Sequence, residues 1–260
     1  MRRALTLLLA GLLMTASAQA LRLVTTHFPP FAMERGADAP GPLVSQVLAA
    51  MSQAGHPGPV EFVPWPRAQL LATTGEEPVL ILPLVRSPER EASYQWVGVL
   101  ACRYMGFVSL RQRLSRFDDE ALAGARLAVL RAAPYRSPSR VGSLQQANSF
   151  EDMARLLQQE MVDVLYGNQD TIVLNLQARG VDRAALALSR PLEADALWLA
   201  ASLNTPAATL EALREALRNT RKDPALERQF ARAGLSRPAA ATVRTLSADS
   251  LCKLPAAPSD

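Results

Sequence analysis

Short apolar stretches alternate with amphipathic stretches along this sequence, and this alternation limits the fold more than any other feature. The apolar stretches of the first third have the length of strands and lie at residues 21–25, 60–63 and 79–82. The segments between them, at 42–55 and 67–73, place apolar residues at helical spacing. Strands that alternate with helices predict a parallel sheet covered by helices, and the loops that follow those strands are expected to meet at one edge.

The alternation begins again in the middle of the chain. Apolar stretches at 127–130 and 162–166 are predicted strands. Ser149 and Asp170 are predicted to cap the two helices of this region, because their side chains can accept hydrogen bonds from free backbone N–H groups of a first turn. A second sheet-and-helix unit is therefore expected at about 103–194, and the predicted fold class is α/β.

Two further helices are predicted near the C-terminus. They begin at Thr205-Pro206 and Asp223-Pro224, where a capping residue precedes a proline whose fixed φ angle suits the first helical turn. This helical tail is expected to return to the first sheet-and-helix unit.

The first segment, residues 1–20, has the order of a cleavable secretory signal. Two arginines precede an apolar run at 4–14, and the small-residue sequence Ala-Gln-Ala follows at 18–20. The apolar run is shorter than a membrane-spanning helix requires. The alternative is a buried N-terminal helix. We predict a signal peptide that is cleaved after Ala20, and a soluble mature protein in the periplasm.

The charge pattern argues against nucleic acid as a partner. The full chain has a formal net charge of +4, and removal of residues 1–20, which contain two arginines and no acid, lowers it to +2. The remaining basic residues are scattered, and no block of lysine or arginine resembles a surface that follows a phosphate backbone. The remaining length suits one large domain or two small ones.

The chain has two cysteines, Cys102 and Cys252. Disulfides persist outside the cytoplasm, so an exported chain of this composition can form one intrachain bond. The alternative is two buried free thiols, because the sequence does not give the separation that bonding requires. We predict the bond, and both alternatives stay open at this point.

Sequence patterns of known catalytic sites do not occur in the chain. The two histidines, His27 and His56, do not have the spacing of metal ligands. There is no nucleophile elbow, phosphate-binding loop, dinucleotide fingerprint or C-x-x-C pair. We therefore expect no catalytic residue, no metal and no cofactor.

Five short segments, taken in order, carry a resemblance to a known family. Their most specific sequences are Thr-His-Phe-Pro-Pro-Phe after the first strand, Pro-Trp-Pro-Arg-Ala after the second and Arg-Ser-Pro-Glu-Arg-Glu after the third. The later two are the strand Arg-Leu-Ala-Val-Leu and a stretch that contains Val-Asp. The segments lie at 26–31, 63–68, 86–91, 126–130 and 150–167. Together they resemble the periplasmic solute-binding proteins of the amino-acid-binding type, family 3, over about residues 21–234.

The resemblance implies a fold of two α/β lobes joined by two crossing strands, each lobe a mostly parallel sheet wrapped by helices. Lobe one is expected at 21–102 plus 195–260, and lobe two at 103–194. A small-molecule ligand is expected in the cleft between the lobes, which close around it by hinge motion. The implied partner is an inner-membrane ABC transporter permease or a sensor, and the protein is expected to be a monomer.

The resemblance also implies ligand contacts at particular residues. Phe28 matches an aromatic that stacks on the ligand, and Arg90 matches an arginine that binds a carboxylate, for which a planar guanidinium is suited. The alternative for Arg90 is an ion pair with Glu89 or Glu91. Asn168 stands where the family has an aspartate that pairs with the ligand ammonium. Ordinary amino acids are therefore expected to bind weakly, since a buried ammonium without a charge partner is unfavourable.

The remaining predicted ligand-binding residues lie near the same strand ends. Four arginines there could form a cationic pocket for an anionic solute or could be solvated surface charges; they are Arg67, Arg86, Arg90 and Arg131. Three further aromatics are predicted contacts; they are Phe31, Trp65 and Tyr135. Trp65 and Tyr135 could instead belong to the core. His27 is expected to be a local hydrogen-bond partner.

The sequence thus predicts an extracytoplasmic binding protein for a small polar solute that is anionic or bears a carboxylate. One alternative is an enzyme on the same fold, such as a dehydratase. Another is an extracytoplasmic interaction module that keeps the fold and binds no small ligand.

Overall fold

The protein is described by a computed structural model that covers residues 21–36, 40–131 and 140–233, together with Leu235 and Cys252. The predicted signal peptide at 1–20 and the predicted contact Tyr135 lie outside these residues. Within the described residues, no helix combines the length and the apolar character needed to cross a bilayer.

The described residues form nine strands, seven α-helices and two short 3₁₀ helices. The strands are β1 Arg22–Thr25, β2 Val60–Phe62, β3 Val79–Val85, β4 Gln95–Leu110, β5 Arg126–Leu130, β6 Ser143–Ala147, β7 Val164–Asn168, β8 Leu186–Leu188 and β9 Glu193–Ala201. The helices are α1 Pro42–Gln53, α2 Trp65–Thr74, α3 Asp119–Ala123, α4 Phe150–Gln158, α5 Gln169–Ala178, α6 Ala207–Thr220 and α7 Pro224–Arg232. The 3₁₀ helices are Pro88–Ser93 and Arg183–Ala185.

All nine strands belong to one sheet with the order β2-β1-β3-β9-β4-β7-β5-β6, and β8 pairs with β4. β1 runs parallel to β2 and β3 at one end, and β5 runs parallel to β6 and β7 at the other. Between them, the long strands β4 and β9 pair antiparallel to each other. The two parallel groups are therefore joined through one antiparallel pair in the middle of the sheet.

The sheet and its helices divide into three parts. The first half is β1, β2 and β3 with α1, α2, α6 and α7. The second half is β5, β6, β7 and β8 with α3, α4 and α5. The connecting ribbon is β4 with β9, paired from Gln95 opposite Ala201 to Met105 opposite Glu193, with register shifts between Trp96 and Gly98 and between Val99 and Ala101. The predicted lobe boundaries at 102/103 and 194/195 both fall inside this ribbon, and they stay a prediction.

Each half has apolar clusters on both faces of its part of the sheet. In the first half, Leu80 and Leu82 of β3 belong to the cluster that includes α1 and α6, whereas Ile81 belongs to a cluster with Trp198 on the other face. Alternate side chains of a strand point to opposite faces, so a strand covered on both sides is apolar throughout. This is why the sequence of β3 is continuously apolar.

Helix starts in the second half follow capping chemistry, with one correction. The N–H of Asp152 donates to Ser149 Oγ at 3.0 Å, as predicted for α4. The prediction that Asp170 caps α5 is wrong, because the helix begins two residues earlier than expected. Asn168 holds the cap position, and its Oδ1 accepts from the N–H of Thr171 at 2.8 Å.

A disulfide joins Cys102 to Cys252, with Cα atoms 5.6 Å apart, so the two-thiol alternative does not hold. Cys102 lies on β4, and Cys252 is buried in the cluster that contains Trp198. The bond therefore fixes a residue near the C-terminus to the connecting ribbon, 150 positions away along the chain.

Candidate ligand-binding cleft

A cleft of about 700 Å³ opens along one face of the sheet, where the two halves meet the connecting ribbon. Its lining comes from all three parts. The lining residues are Thr26, Phe28, Trp65, Pro83, Val85, Ser87, Glu89, Arg90, Arg103, Met105, Leu130, Arg131, Glu193, Asp195 and Leu197. Loops that follow β1, β2, β3 and β5 contribute, which agrees with the rule that ligands bind outside the carboxyl ends of parallel strands.

Phe28 is an aromatic residue of the cleft wall that the first half forms. Its ring stacks on Phe31, with centroids 5.1 Å apart, and lies 6.5 Å from the ring of Phe150 at the start of α4. Phe31 is fully buried and is not among the lining residues. Phe31 therefore supports Phe28 from the core, and Phe28 alone of the two presents a face to the cleft.

Trp65 and Arg67 lie in the first turn of α2 and have different surroundings. Trp65 lines the cleft and also packs against the first-half core, so its ligand contact stays a prediction beside its role in packing. Arg67 is exposed and is not among the lining residues. Residues two apart on a helix point to different faces, which accounts for the difference.

Arg86 and Arg90 follow β3 but have separate partners. Arg86 forms an ion pair with Glu91 through Nε at 2.8 Å from Oε2, and its guanidinium lies 5.3 Å and 5.1 Å from the ring centroids of Trp96 and Trp198. These contacts place Arg86 outside the lining. Arg90 lines the cleft, and its Nη1 donates to the carbonyl oxygen of Val85 at 3.1 Å. Glu91, one of the two glutamates considered as a partner of Arg90, is thus paired with Arg86.

The connecting ribbon forms the floor of the cleft. None of the residues on this floor was among the predicted ligand contacts. Strand alternation turns every second residue of β4 and β9 toward the cleft; these residues are Arg103, Met105, Glu193, Asp195 and Leu197. The residues between them, Cys102, Tyr104, Ala194 and Ala196, pack in or against the cluster on the opposite face. In the sequence, Glu193 and Asp195 stand at alternate positions of a segment that was not predicted as a strand, and this alternation is the pattern that indicates the floor.

Two contacts fix the charged groups of the floor. Arg103 donates to Asp195 Oδ2 from Nη2 at 2.7 Å and from Nε at 2.9 Å. The Tyr166 hydroxyl donates to Glu193 Oε1 at 3.1 Å. The ring of Tyr166 is buried beside Phe107 in the second-half core, so the hydroxyl reaches the floor from a rigid position.

Arg131 is the charged residue of the second-half wall. It follows β5, is exposed, and donates from Nε to Asn148 Oδ1 at 2.9 Å. Asn168 is not among the described lining residues: it is 2% exposed, its Oδ1 accepts from the backbone N–H and hydroxyl of Thr171, and its buried Nδ2 has no hydrogen-bond partner within the described part of the chain. The side chain of Asn168 is therefore a helix cap in this structure.

The described lining residues carry equal numbers of positive and negative charges. The arginines are Arg90, Arg103 and Arg131, and the acids are Glu89, Glu193 and Asp195. Among the described lining residues positive charge is not in excess, because Arg67 and Arg86 lie elsewhere and the ribbon adds acids. His27 accepts from the N–H of Glu34 at Nδ1, 3.2 Å away, which is the local role expected for it. Among the described residues, no group of histidine, cysteine, aspartate and glutamate could hold a metal ion.

Two acids of the second half have strongly shifted pKa values, and neither lines the cleft. Three hydrogen bonds from Arg126, at 2.8–2.9 Å, lower the pKa of Asp163 from 3.8 to about 2. Burial in the first turn of α5 raises the pKa of Asp170 from 3.8 to about 6, although Arg183 opposes the shift. Burial, with the charge of Asp170, also raises the pKa of Tyr104 on the ribbon.

Comparison with known proteins gives matches among solved structures. No family model matches the sequence, and no curated protein does. A histidine kinase sensor domain with similarity to periplasmic binding proteins has a TM-score of 0.66 at 16% identity, covering 85% of this chain and 98% of that chain. An ancestral arginine-binding protein bound to arginine has a TM-score of 0.63 at 14% identity, covering 82% and 97%.

A third similar structure is the GluR0 ligand-binding core from Nostoc punctiforme in complex with L-glutamate. Its TM-score is 0.64 at 13% identity, and the match covers 82% of this chain and 98% of that chain. The chain has the two-lobe α/β fold of type II periplasmic binding proteins. The predicted fold class is confirmed, and in this fold the cleft lies between the lobes.

Proposed function

We propose that the chain is a periplasmic solute-binding protein, a divergent member of family 3, that closes on a small polar ligand bearing a carboxylate. The observation that carries the proposal is the position of Arg90, half-buried in the cleft lining on the first-half wall that also holds Phe28. A guanidinium binds a carboxylate through paired N–H donors, and an aromatic ring covers apolar atoms.

The surroundings of Arg90 favour this role. Its contact with the carbonyl oxygen of Val85 fixes the guanidinium and uses one of its five N–H donors. Arg86 neutralises Glu91 beside it, so that acid is already paired. Arg131 offers a second cation from the opposite wall.

The fold supports closure as the response to ligand. The two halves are joined by β4 and β9, and domain closure around a ligand bends such connections. We propose lobe one as 21–102 plus 195–260 and lobe two as 103–194, with the hinge in the ribbon. The N-terminal sequence supports export to the periplasm. We propose that the protein is a monomer. An ABC transporter permease or a sensor is the proposed recipient, since solved structures of similar fold include a histidine kinase sensor domain and the substrate-binding protein of an amino acid ABC transporter.

Arg90 variants test the proposal. A thermal-shift screen of small mono-, di- and aminocarboxylates should find a stabilising compound, and calorimetry should then show at least about tenfold weaker binding to Arg90→Ala, because a charge-assisted contact contributes about 1.5–3 kcal/mol. Arg90→Lys should restore binding only in part, because a point charge does not replace a planar fork. Circular dichroism checks the fold.

Arg67→Ala is the matched control, because Arg67 is an exposed arginine of the first half and is not among the cleft-lining residues. It should bind like the parent. Equal affinities of the parent and Arg90→Ala would contradict the anchor role, and a screen without any binding compound would contradict the function. Recovery of the unchanged compound after denaturation separates binding from catalysis.

A further inference from the structure

We propose that Arg103 and Asp195, an ion pair on the floor of the cleft, together bind a neutral carboxamide group of the ligand. The carbonyl oxygen of this group accepts from Arg103, and its N–H donates to Asp195. The inference rests on the proposed function, because Arg90 still holds the ligand carboxylate. It adds the class of compound, which is a carboxylate that also carries a carboxamide.

The pair lies in the middle of the connecting ribbon. Arg103 of β4 stands directly opposite Asp195 of β9, and both residues line the cleft. The next cleft-facing position of β9 is Leu197, which pairs with Val85 at the end of β3. The carbonyl oxygen of Val85 accepts from Arg90. The pair is therefore next to the strand end at which the loop that carries Arg90 begins.

The contact within the pair leaves one donor group and one acceptor without a partner. Two donors of Arg103, Nε at 2.9 Å and Nη2 at 2.7 Å, converge on the same oxygen, Asp195 Oδ2. Within the described part of the chain, Arg103 Nη1 and Asp195 Oδ1 make no hydrogen bond, and neither belongs to the buried polar atoms that lack a partner. The two side chains are 26% and 21% exposed. Nη1 and Oδ1 are therefore open to a molecule in the cleft.

The opposite charges within the pair favour a neutral group as its partner. A carboxylate at this point would be attracted by Arg103 and repelled by Asp195, and an ammonium would meet the reverse. A carboxamide has no net charge, and its oxygen accepts hydrogen bonds while its nitrogen donates them. It therefore matches an arginine N–H and a carboxylate oxygen at the same time.

Closure of the cleft makes this match selective. In an open cleft, water can satisfy Nη1 and Oδ1, but closure around a ligand excludes that water. A polar atom that is buried without a partner is unfavourable, so a ligand with a methyl group in place of the amide nitrogen would leave Oδ1 unpaired. A site that binds a polar group of its ligand in this way discriminates strongly against the analogue that lacks the group.

Carboxylates of matched shape test the assignment by calorimetry. The amide acids are succinamate, glutaramate and adipamate. Each is compared with the keto acid of the same length, in which a methyl group replaces the amide nitrogen, and with the dicarboxylate. The keto acids are 4-oxopentanoate, 5-oxohexanoate and 6-oxoheptanoate, and the dicarboxylates are succinate, glutarate and adipate. For at least one length, the parent protein should bind the amide acid at least about tenfold more tightly than both comparison compounds.

Asp195→Ala separates ligand binding from a purely structural role of the pair. The substitution removes Oδ1, so the affinities for the amide acid and the keto acid should become about equal. It also leaves the charge of Arg103 without compensation, so the dicarboxylate should now bind more tightly than the amide acid. A substitution that only loosened the ribbon would weaken all three compounds and leave their ratios unchanged. Circular dichroism checks the fold.

Glu61→Ala is the matched control. Glu61 of β2 forms an ion pair with Arg22 of β1 in the same sheet, and neither residue is among the cleft-lining residues. Its substitution should leave the ratios among the compounds unchanged. The comparison of compounds on the parent protein needs no variant, so it decides the inference even if Asp195→Ala does not fold.

Two results would overturn the inference. One is a keto acid or dicarboxylate that binds the parent as tightly as the amide acid at every length, and the other is an unchanged ratio in folded Asp195→Ala. If Arg90→Ala weakens keto-acid binding while the parent shows no preference for the amide acid, this inference fails and the proposed function stands. If none of the compounds binds, this inference fails, and the wider carboxylate screen decides the proposed function.

Discussion

The two halves of the molecule share a strand-and-helix pattern but are stabilised by different means. The first half packs Trp198 and Trp96 on one face, and the disulfide fixes Cys252 to that face. The second half contains both of the large pKa shifts, at Asp163 and Asp170. Covalent and apolar contacts do not titrate in the acid range, whereas these carboxylates do. Glu61 and Glu91 of the first half also have lowered pKa values, through Arg22 and Arg86, but the larger shifts lie in the second half. The stability of the second half is therefore expected to depend more strongly on pH than that of the first.

The largest effect is expected from removal of the disulfide. Cys102→Ser with Cys252→Ser should lower the free energy of unfolding by about 2–5 kcal/mol, because the bond closes a long loop and so restricts the unfolded chain. Scanning calorimetry measures the loss, and hydrogen exchange should show it first in β1 and β3. The parent in reducing buffer is the control. An unchanged melting temperature, or exchange that rises first in β5 and β7, would break the comparison between the halves.

A smaller effect of opposite sign is expected at Asp170. Its folded pKa of about 6 lies above the ordinary value of 3.8, so the folded state keeps a proton that the unfolded state has lost. Stability from this group is therefore greatest below about pH 4, falls as the pH rises to about 6, and remains reduced above it. Asp170→Asn should raise the free energy of unfolding at pH 7 by about 2–3 kcal/mol.

Denaturant titration at pH 7 and pH 4 checks this prediction. The gain should be much smaller at pH 4, where the parent carboxyl is already largely protonated in the folded state. An equal gain at both values would show that Asp170→Asn acts through packing or the helix start rather than through ionisation.

The smallest effect is expected at Asp163. Its folded pKa of about 2 lies below 3.8, so this carboxylate stabilises the fold above about pH 4, and the contribution is lost as the pH falls toward 2. Asp163→Asn should lower the free energy of unfolding at pH 7 by about 2 kcal/mol. Asp119→Asn, at an exposed acid of the same half, is the matched control. If Asp163→Asn loses as much stability at pH 2.5 as at pH 7, the ion pair with Arg126 is not the cause.

The sequence predicted the strands that are apolar throughout and the helix starts with a standard cap. β3 and α4 are examples, because full burial and a capping serine both leave clear local patterns. The connecting ribbon was not predicted as strands from its residues. Its central section mixes buried residues with Arg103, Glu193 and Asp195, since one face meets the core and the other meets the cleft. A segment with this mixture of apolar and charged residues has the sequence pattern of a surface loop. It can be identified as a strand only when its partner strand is known.

The site residues show the same limit. Closeness to a strand end predicted that Phe28 and Arg90 would reach the cleft, and both line it. The same criterion also selected Arg67, Arg86 and Phe31, whose side chains lie on other faces. The sequence locates the end of a strand, but the direction of a side chain depends on its partners in the folded protein. For Arg86 these partners are Trp96, Trp198 and Glu91.

The contact between Phe28 and Phe150 has a consequence for the rate of ligand exchange. The two rings belong to opposite halves and lie 6.5 Å apart, so a motion that opens the halves separates them. An aromatic pair contributes about 0.5–1.5 kcal/mol beyond its buried area, which corresponds to about a two- to tenfold slower opening. Phe150→Leu should therefore shorten the residence time of a bound compound while Arg90 still sets which group is held. A ring placed on one half alone would affect affinity, whereas rings that touch between the two halves also determine how long the cleft stays shut.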